Sequence, residues 1–406
     1  MNNMKLDLLE RLFKYGFVKP TPLVLAFCVL GALCGKTPAQ EFKQVHPGVE
    51  HTQVNYKIGE DPVKINLLRL DLKKVRLDVH HALDKAIGLE TTSSIAIRKG
   101  AVAAINAGFF RLDKSVWAGD ASELLMIDGR LLSDSVNERV ALSIVNTDKR
   151  TYIDIGQLKA DVGLLNEDGL ISLNFDVNRE RKTGSFLIYT PEFGPTTLTD
   201  DTGVEVMVLP SNPTRASSLE LMDGKGNTGI PNNGFVVSLT GKVSIEAEYL
   251  HSMFYRKQRI WFAPVFSRGN ESIAQRIEDA VAGVPQLIKD GRIDITWEQE
   301  KASRAFVFNR HPRTAVAKMK NGKFLMVTVD GRQPGVSVGM TLQELAEYLL
   351  SLGATDAMNL DGGGSTTMVL DGKVVNKPSD PTGERKIGDA IVVTLRKDRR
   401  PASRKN

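Results

Sequence analysis

Four tight-turn dipeptides constrain this chain more than any other feature. Asp128-Gly129, Asp290-Gly291, Asn321-Gly322 and Asp371-Gly372 each lie between two apolar runs. Asn-Gly and Asp-Gly readily take the positive φ values of a two-residue hairpin, so each predicts a pair of antiparallel strands. Val63-Lys64-Ile65-Asn66-Leu67 and Val75-Arg76-Leu77-Asp78-Val79 alternate with period two, which predicts strands across 52–82. Thr91 to Arg98 reads as a short helix capped by Thr92 or Ser93. Ala101 to Ile105 reads as a buried strand leading into Asn106-Ala107-Gly108-Phe109-Phe110. The clearest helices are Ser272 to Ala282 and Leu342 to Leu352. The second has Thr341 as cap, Glu344 as capping-box partner and one apolar face. Strands in hairpins, a few packed helices and no regular βαβ alternation place the chain in the α+β class, mostly antiparallel.

The net charge of +5 sits at the ends of the chain. Residues 1–39 carry a net +3 and residues 396–406 a net +5, which leaves the body at −3. A chain-wide nucleic-acid surface is therefore not expected, and the basic tail reads as a solvated end. Leu23 to Leu33 is an apolar run of 11 residues behind Lys14 and Lys19, with Thr37-Pro38-Ala39 after it. That layout is a secretory signal peptide, too short to span a bilayer, so export to the periplasm or the outside is expected, with no stable membrane anchor. Cys28 and Cys34, the only cysteines, lie within it. The processed protein would hold no thiol nucleophile, thiolate metal site or disulfide.

Chemistry concentrates in Asn359-Leu360-Asp361-Gly362-Gly363-Gly364-Ser365-Thr366-Thr367. Glycines free the backbone for close approach, and their successive N–H groups can form a nest for anionic oxygen. Asp361 adds a carboxylate and the hydroxyl residues add donors. A second dense stretch runs from Arg310-His311-Pro312-Arg313 to Asp330-Gly331-Arg332. Guanidinium groups there suit paired hydrogen bonds to phosphate. Other signals fail. Gly224-Lys225-Gly226-Asn227-Thr228-Gly229 matches a dinucleotide pattern, but Pro231 and Gly234 follow where a helix should open. Ser365 lacks a nucleophile elbow. None of His46, His51, His80, His81, His251 and His311 falls into a zinc-hydrolase spacing, so each reads as structural or exposed.

Taken together, Asn106-Ala107-Gly108-Phe109-Phe110, Pro312-Arg313-Thr314-Ala315, Asp330-Gly331-Arg332, Asn359 to Ser365 and Gly383-Glu384-Arg385 resemble the phosphodiester glycosidases related to the mannose 6-phosphate uncovering enzyme. Val177-Asn178-Arg179, Tyr189-Thr190-Pro191 and Gly203-Val204-Glu205-Val206 resemble further landmarks of that family, while Ala317 stands where it favours glycine. The resemblance covers 90–395 with gaps and implies a glycosidase domain there; strands at 40–89 lead in, and the looser patterning and turn residues of 155–235 read as an insertion or subdomain. It implies an exported hydrolase that cleaves the sugar C–O bond of a small or polymeric sugar 1-phosphodiester. A phosphomonoester and a free sugar would be released.

On this reading Asp361 and Asp330 are the first-choice carboxylates, with Glu123 and Glu384 behind them. Arg313, Arg332, Arg385, Gly362, Gly363, Gly364 and Ser365 would hold phosphate, and Asn106 and Asn359 would bond sugar hydroxyls or an N-acetyl group. No cofactor is expected. Two other classes stay open: a phosphodiesterase using Ca²⁺ or Mg²⁺ on Asp330 and Asp361, and a glycan-binding module without turnover.

Overall fold

All four hairpin turns form where the dipeptides place them. They join Leu125–Ile127 to Arg130–Ser133, Gln286–Lys289 to Arg292–Ile293, Arg313–Met319 to Phe324–Val329, and Met368–Leu370 to Lys373–Val374. The computed structural model describes residues 41–396, except 167–168, 174, 210–217, 223–225, 241–260, 269–270 and 273–275. The signal-like segment, the end of the tail and part of the rejected glycine motif lie outside these residues.

The largest sheet has eight strands, all antiparallel. Their order is Lys43–His46, Val49–Ile58, Asp61–Leu70, Phe324–Val329, Arg313–Met319, Ala354–Asn359, Gln286–Lys289 and Arg292–Ile293. A second sheet runs Lys373–Val374, Met368–Leu370, Ala103–Asn106, Asp389–Leu395 and Val75–His81. One face of the large sheet packs on the second sheet through Leu68, Met326, Val316 and Met358 against Leu77, Ile105, Ile391 and Met368. Its other face carries helix α3, Leu342–Ser351, behind α1, Thr92–Arg98, and α2, Arg304–Phe308, in chain order. In α3, Leu342, Leu345, Ala346 and Leu349 are buried against Ala315, Ala317 and Val327. Each leucine so buried contributes on the order of 2 kcal/mol. The capping box is as expected: Thr341 Oγ1 accepts from the Glu344 N–H at 3.1 Å, and the Glu344 carboxylate accepts from the Thr341 N–H at 2.9 Å.

A two-stranded sheet, Glu90–Thr91 with Lys386–Ile387, and three further multi-stranded sheets complete the described body. One contains Thr151–Gln157, Val140–Asn146, Asp279–Ala282, Leu125–Ile127 and Arg130–Ser133, and the other two are built from 159–173 with 261–272 and from 176–240. They share the core of Leu124, Val162, Ile188, Val237 and Ala280.

Two expectations change. Among the described residues no helix forms between Ser272 and Ala282. Glu271–Ser272 is a short strand, and Asp279–Ala282 is a buried one inserted between Val140–Asn146 and Leu125–Ile127. A short apolar run buried on both faces loses the alternation that separates strand from helix. The cap of α1 is Thr91, whose Oγ1 accepts from the Ser94 N–H at 3.2 Å, one residue before the expected position. With three short α-helices against 29 strands among the described residues, the sheets carry the architecture and the α+β class holds only loosely.

Candidate active site

In antiparallel sheets the end of one strand lies beside the start of its neighbour. Arg313 opens its strand opposite Val329, which closes the next, and Ala315 faces Asn359, which closes a third. In the second sheet Asn106 ends its strand opposite Ala390, one residue into the strand that Asp389 opens, and Ile105 faces Met368. The polar turns therefore emerge together. Asn106 joins them: its Oδ1 accepts from Thr314 Oγ1 at 2.8 Å and from the Thr367 N–H at 3.0 Å, and its Nδ2 donates to the Asp361 carbonyl at 2.6 Å.

The glycine turn is shaped by what lies against it. A Cβ on Gly364 would stand 2.3 Å from Nη2 of Arg385, and one on Gly363, where φ is +59°, would stand 3.1 Å from Nη2 of Arg332. The positive φ of Gly363 favours glycine there, and a Cβ at either position would push the guanidinium end against it aside. Arg385 is paired through Nε with Asp380 at 2.7 Å. Arg332 is exposed and has no carboxylate partner among the described residues. Arg313, 1% exposed, donates to the carbonyls of Met340, Phe306 and Asn309 at 2.8, 2.7 and 3.0 Å, and its Nη1 has no partner. Burial, aided by the charge of Arg332, pulls the Arg313 guanidinium down to about 9. His311 is also lowered, by burial first and then by Arg313 and Arg332. Arg332, Arg313 and His311 thus gather, with Glu344 the carboxylate that acts on Arg313, and the surplus of positive charge favours an anion.

The carboxyl groups are treated in the opposite sense. Burial pushes half-buried Asp361 up to about 6, against the pull of the Gly362 N–H and the Arg385 charge. The Ser365 hydroxyl stands near it without completing a hydrogen bond. Asp330, 1% exposed, is raised by burial; its Oδ1 accepts from Asn376 Nδ2 and the Lys377 N–H, both at 3.1 Å, while its Oδ2 has no partner. Asn376 Nδ2 also donates to the Thr366 carbonyl at 3.0 Å, which ties Asp330 to the glycine turn. Asp389 is pushed up to about 7 by burial and by the charge of Asp361. Buried polar atoms without partners cluster in these segments: Arg313 Nη1, Asp330 Oδ2, Asn359 Oδ1, Ser365 Oγ, Thr366 Oγ1, Thr367 Oγ1 and Asp389 Oδ2. Native interiors rarely leave such groups unbonded except where water or a ligand completes them.

Several sequence assignments change duty. Glu123 is not part of this assembly. Its carboxylate accepts from the N–H groups of Val136 and Asn137 at 3.0 and 3.2 Å and from Asn137 Nδ2 at 2.7 Å, so it fixes a loop of its own. Glu384 accepts from Ser93 at the start of α1. Asn106 and Asn359 are fully buried and bonded inside the chain, Asn359 through Nδ2 to the carbonyls of Val284 and Leu360. They build the site rather than face a sugar. The amide nest is reduced too, since the Gly363 N–H donates to the Pro312 carbonyl at 2.9 Å and the Gly362 N–H is directed at Asp361. Asp389, His311 and Asn376 were missed. His311 lies in the dense stretch singled out above, and Asp389 is signalled as a lone charge heading the apolar run Ala390-Ile391-Val392-Val393. The cleft lined by Tyr152, Asp154, Arg268 and Glu271 lies elsewhere.

Parts of the chain are similar to known proteins. Residues 217–394 match the sequence profile of the phosphodiester glycosidase family. A segment of 109 residues, 25% of this chain, is 38% identical to the bovine (Bos taurus) N-acetylglucosamine-1-phosphodiester alpha-N-acetylglucosaminidase and covers 20% of that protein. The human (Homo sapiens) enzyme of the same name is 36% identical over 110 residues, 25% of this chain and 21% of its own length. The chain thus spans about a fifth of the curated relatives it matches. In fold it is similar to a hypothetical protein from Synechocystis, with a TM-score of 0.72 at 22% identity over 88% of this chain and 64% of that one. It is also similar to a putative exported protein of Burkholderia pseudomallei, at 0.68 and 24% over 83% and 75%. By this profile and these relatives, residues 217–394 are similar to the phosphodiester glycosidase family.

Proposed function

We propose that the protein hydrolyses the C–O bond at the anomeric carbon of a sugar 1-phosphodiester, giving a free sugar and a phosphomonoester. One observation carries this reading: a carboxyl group of raised pKa, Asp361, stands beside a glycine turn crossed by Arg332, an arginine without a carboxylate partner. A sugar phosphodiester offers a counterpart to each, a phosphate for the arginine and an electrophilic carbon for the carboxylate.

Departure of the phosphate leaves an oxocarbenium-like centre, which a nearby carboxylate stabilises. Asp361 supplies that charge at the mouth of the turn. The leaving phosphate gains charge as the bond breaks, and Arg332, with Arg313 Nη1 behind it, holds that charge. Ser365 and Thr366 add unbonded hydroxyls to the wall of the site. The bovine and human relatives are named for N-acetylglucosamine-1-phosphodiester, so the N-acetylhexosamine 1-phosphodiesters head the substrates to try. Export follows from the charged, apolar and small-residue order of residues 14–39. N-terminal sequencing of secreted material should begin near Gln40, and a start at Met1 or Met4 in a membrane fraction would contradict it. The activity is tested by incubating the protein with a panel of sugar 1-phosphodiesters. Reducing sugar and phosphomonoester should appear in equal amounts, and binding without turnover across the panel would count against hydrolysis.

A further inference from the structure

Asp389 is the carboxyl group that the reading above leaves without a task. It opens its strand at 1% exposure, and Oδ1 accepts the Gly108 N–H at 2.5 Å. Oδ2 has no partner, and no ion pair among the described residues includes Asp389. An ionised carboxylate only accepts hydrogen bonds, so a single donor leaves a buried charge badly under-solvated, whereas the neutral acid has a proton of its own to give.

Ala107 ties the backbones of Asp389 and Asp361 together. Its N–H donates to the Asp389 carbonyl at 3.1 Å, and its carbonyl accepts the Asp361 N–H at 2.9 Å. The two aspartates therefore flank one residue of the same backbone. The next residue, Gly108, allows the approach: a Cβ there would stand 3.1 and 3.2 Å from the two Asp389 oxygens. The other groups facing the pair do not neutralise Asp389. Arg385 and Arg332 lie on the Asp361 side, against Gly364 and Gly363. His81, opposite Asp389 across the strand pair, has its ring nitrogens at the carbonyls of Ala82 and Gly119 and is held toward its neutral form by burial.

We propose that Asp389 is a positioning residue that holds the one proton of a carboxyl pair, leaving the negative charge of the pair on Asp361 where the substrate meets it. The negative charge of Asp361 makes Asp389 harder to ionise, so Asp389 gives up its proton after Asp361. The more enclosed member, with an unbonded oxygen, keeps its proton longer. The directions of both shifts agree, since Asp389 is raised further than Asp361. The inference rests on the proposed function for its catalytic meaning but not for its protonation.

Two measurements on the full chain test it. Carbon-13 titration of the aspartate carboxyls in the unliganded protein should show Asp389 losing its proton near neutrality, and Asp361→Asn should leave it a single, uncoupled step. The pH profile of kcat on an N-acetylglucosamine 1-phosphodiester should be a bell whose alkaline limb belongs to Asp389. Asp389→Asn imitates the neutral acid, so it should lower kcat by roughly tenfold and abolish that limb, while Asp389→Ala loses roughly 100-fold. An Asp389 titrating in the ordinary carboxylate range, or an unchanged alkaline limb in Asp389→Asn, overturns the proposal. If the coupled titration appears but no phosphodiester is cleaved, the pair stands and the functional reading falls; cleavage with an ordinary Asp389 titration gives the reverse.

Discussion

Glu205 and Asp389 are both 1% exposed, yet the molecule treats these two carboxyl groups in opposite ways. Glu205 accepts from Thr199 Oγ1 at 2.8 Å, Thr197 Oγ1 at 3.0 Å and the Thr228 N–H at 3.1 Å, with Arg181 Nη1 at 3.5 Å. Hydrogen bonding outweighs burial there and its pKa is lowered. Asp389 has one donor, a like-charged neighbour and a pKa pushed up to about 7. A fold that needs a carboxylate for stability surrounds it with donors, as around Glu205. A carboxyl group buried without them persists against its desolvation cost, and that is the usual mark of a reactive site.

Substitutions should separate the two regions. Glu205→Ala leaves the buried Thr197 and Thr199 hydroxyls and the Thr228 N–H without their acceptor and should cost about 3 kcal/mol in urea unfolding, while the glycine-turn site keeps its hydrogen bonds. A loss under about 1 kcal/mol would show that the donors around Glu205 matter little. Asp361→Asn nearly preserves shape, so stability should change by about 1 kcal/mol or less while turnover falls by roughly 100-fold, about 2.7 kcal/mol at the barrier. Turnover near that of the unmodified protein would move the charge to Asp330.

The pH dependence of stability should split likewise. The raised folded pKa values of Asp361 and Asp389 mean that the native state holds protons the unfolded chain has released. Their contribution is present below about pH 4, and it is lost as pH rises through about 6 and 7. Glu205, lowered in the fold, behaves in the reverse sense: its contribution is present above its unfolded value and is lost on acidification. Chemical denaturation across pH should find that Asp389→Asn flattens the neutral-side slope and that Glu205→Gln flattens the acid-side one. Equal slopes in both variants would erase the distinction. The smallest effect belongs to Arg332→Gln, which removes an exposed, unpaired charge. It should leave stability within about 0.5 kcal/mol and raise KM for an anionic substrate by roughly tenfold, about 1.4 kcal/mol.

What could be read from the sequence was local. The hairpin dipeptides, the capping box at Thr341 and the Asp361-Gly362-Gly363-Gly364 turn each depend on residues a few places apart, and each formed. The strand at Asp279–Ala282 was misread because burial on both faces leaves no period to distinguish it from a helix. Within the site, residue type predicted place better than duty. Asn106, Asn359 and Arg313 lie at the converging strand ends, but most of their hydrogen bonds hold backbone and side chains together. Glu123 looked like Asp361 in sequence, because a carboxylate shows its surroundings only after Val136 and Asn137 fold onto it. Asp389 acquires meaning from Gly108, 281 residues away in the chain, and no local pattern reports such a contact.

The central claim is that the bond to the anomeric carbon breaks, and not the bond to phosphorus. Hydrolysis of a sugar 1-phosphodiester in ¹⁸O-labelled water, followed by mass spectrometry of both products, tests this most directly. The arrangement of Asp361 with Arg332 leads us to expect one ¹⁸O in the released sugar and none in the phosphomonoester. Label in the phosphate would contradict the account and point to attack at phosphorus.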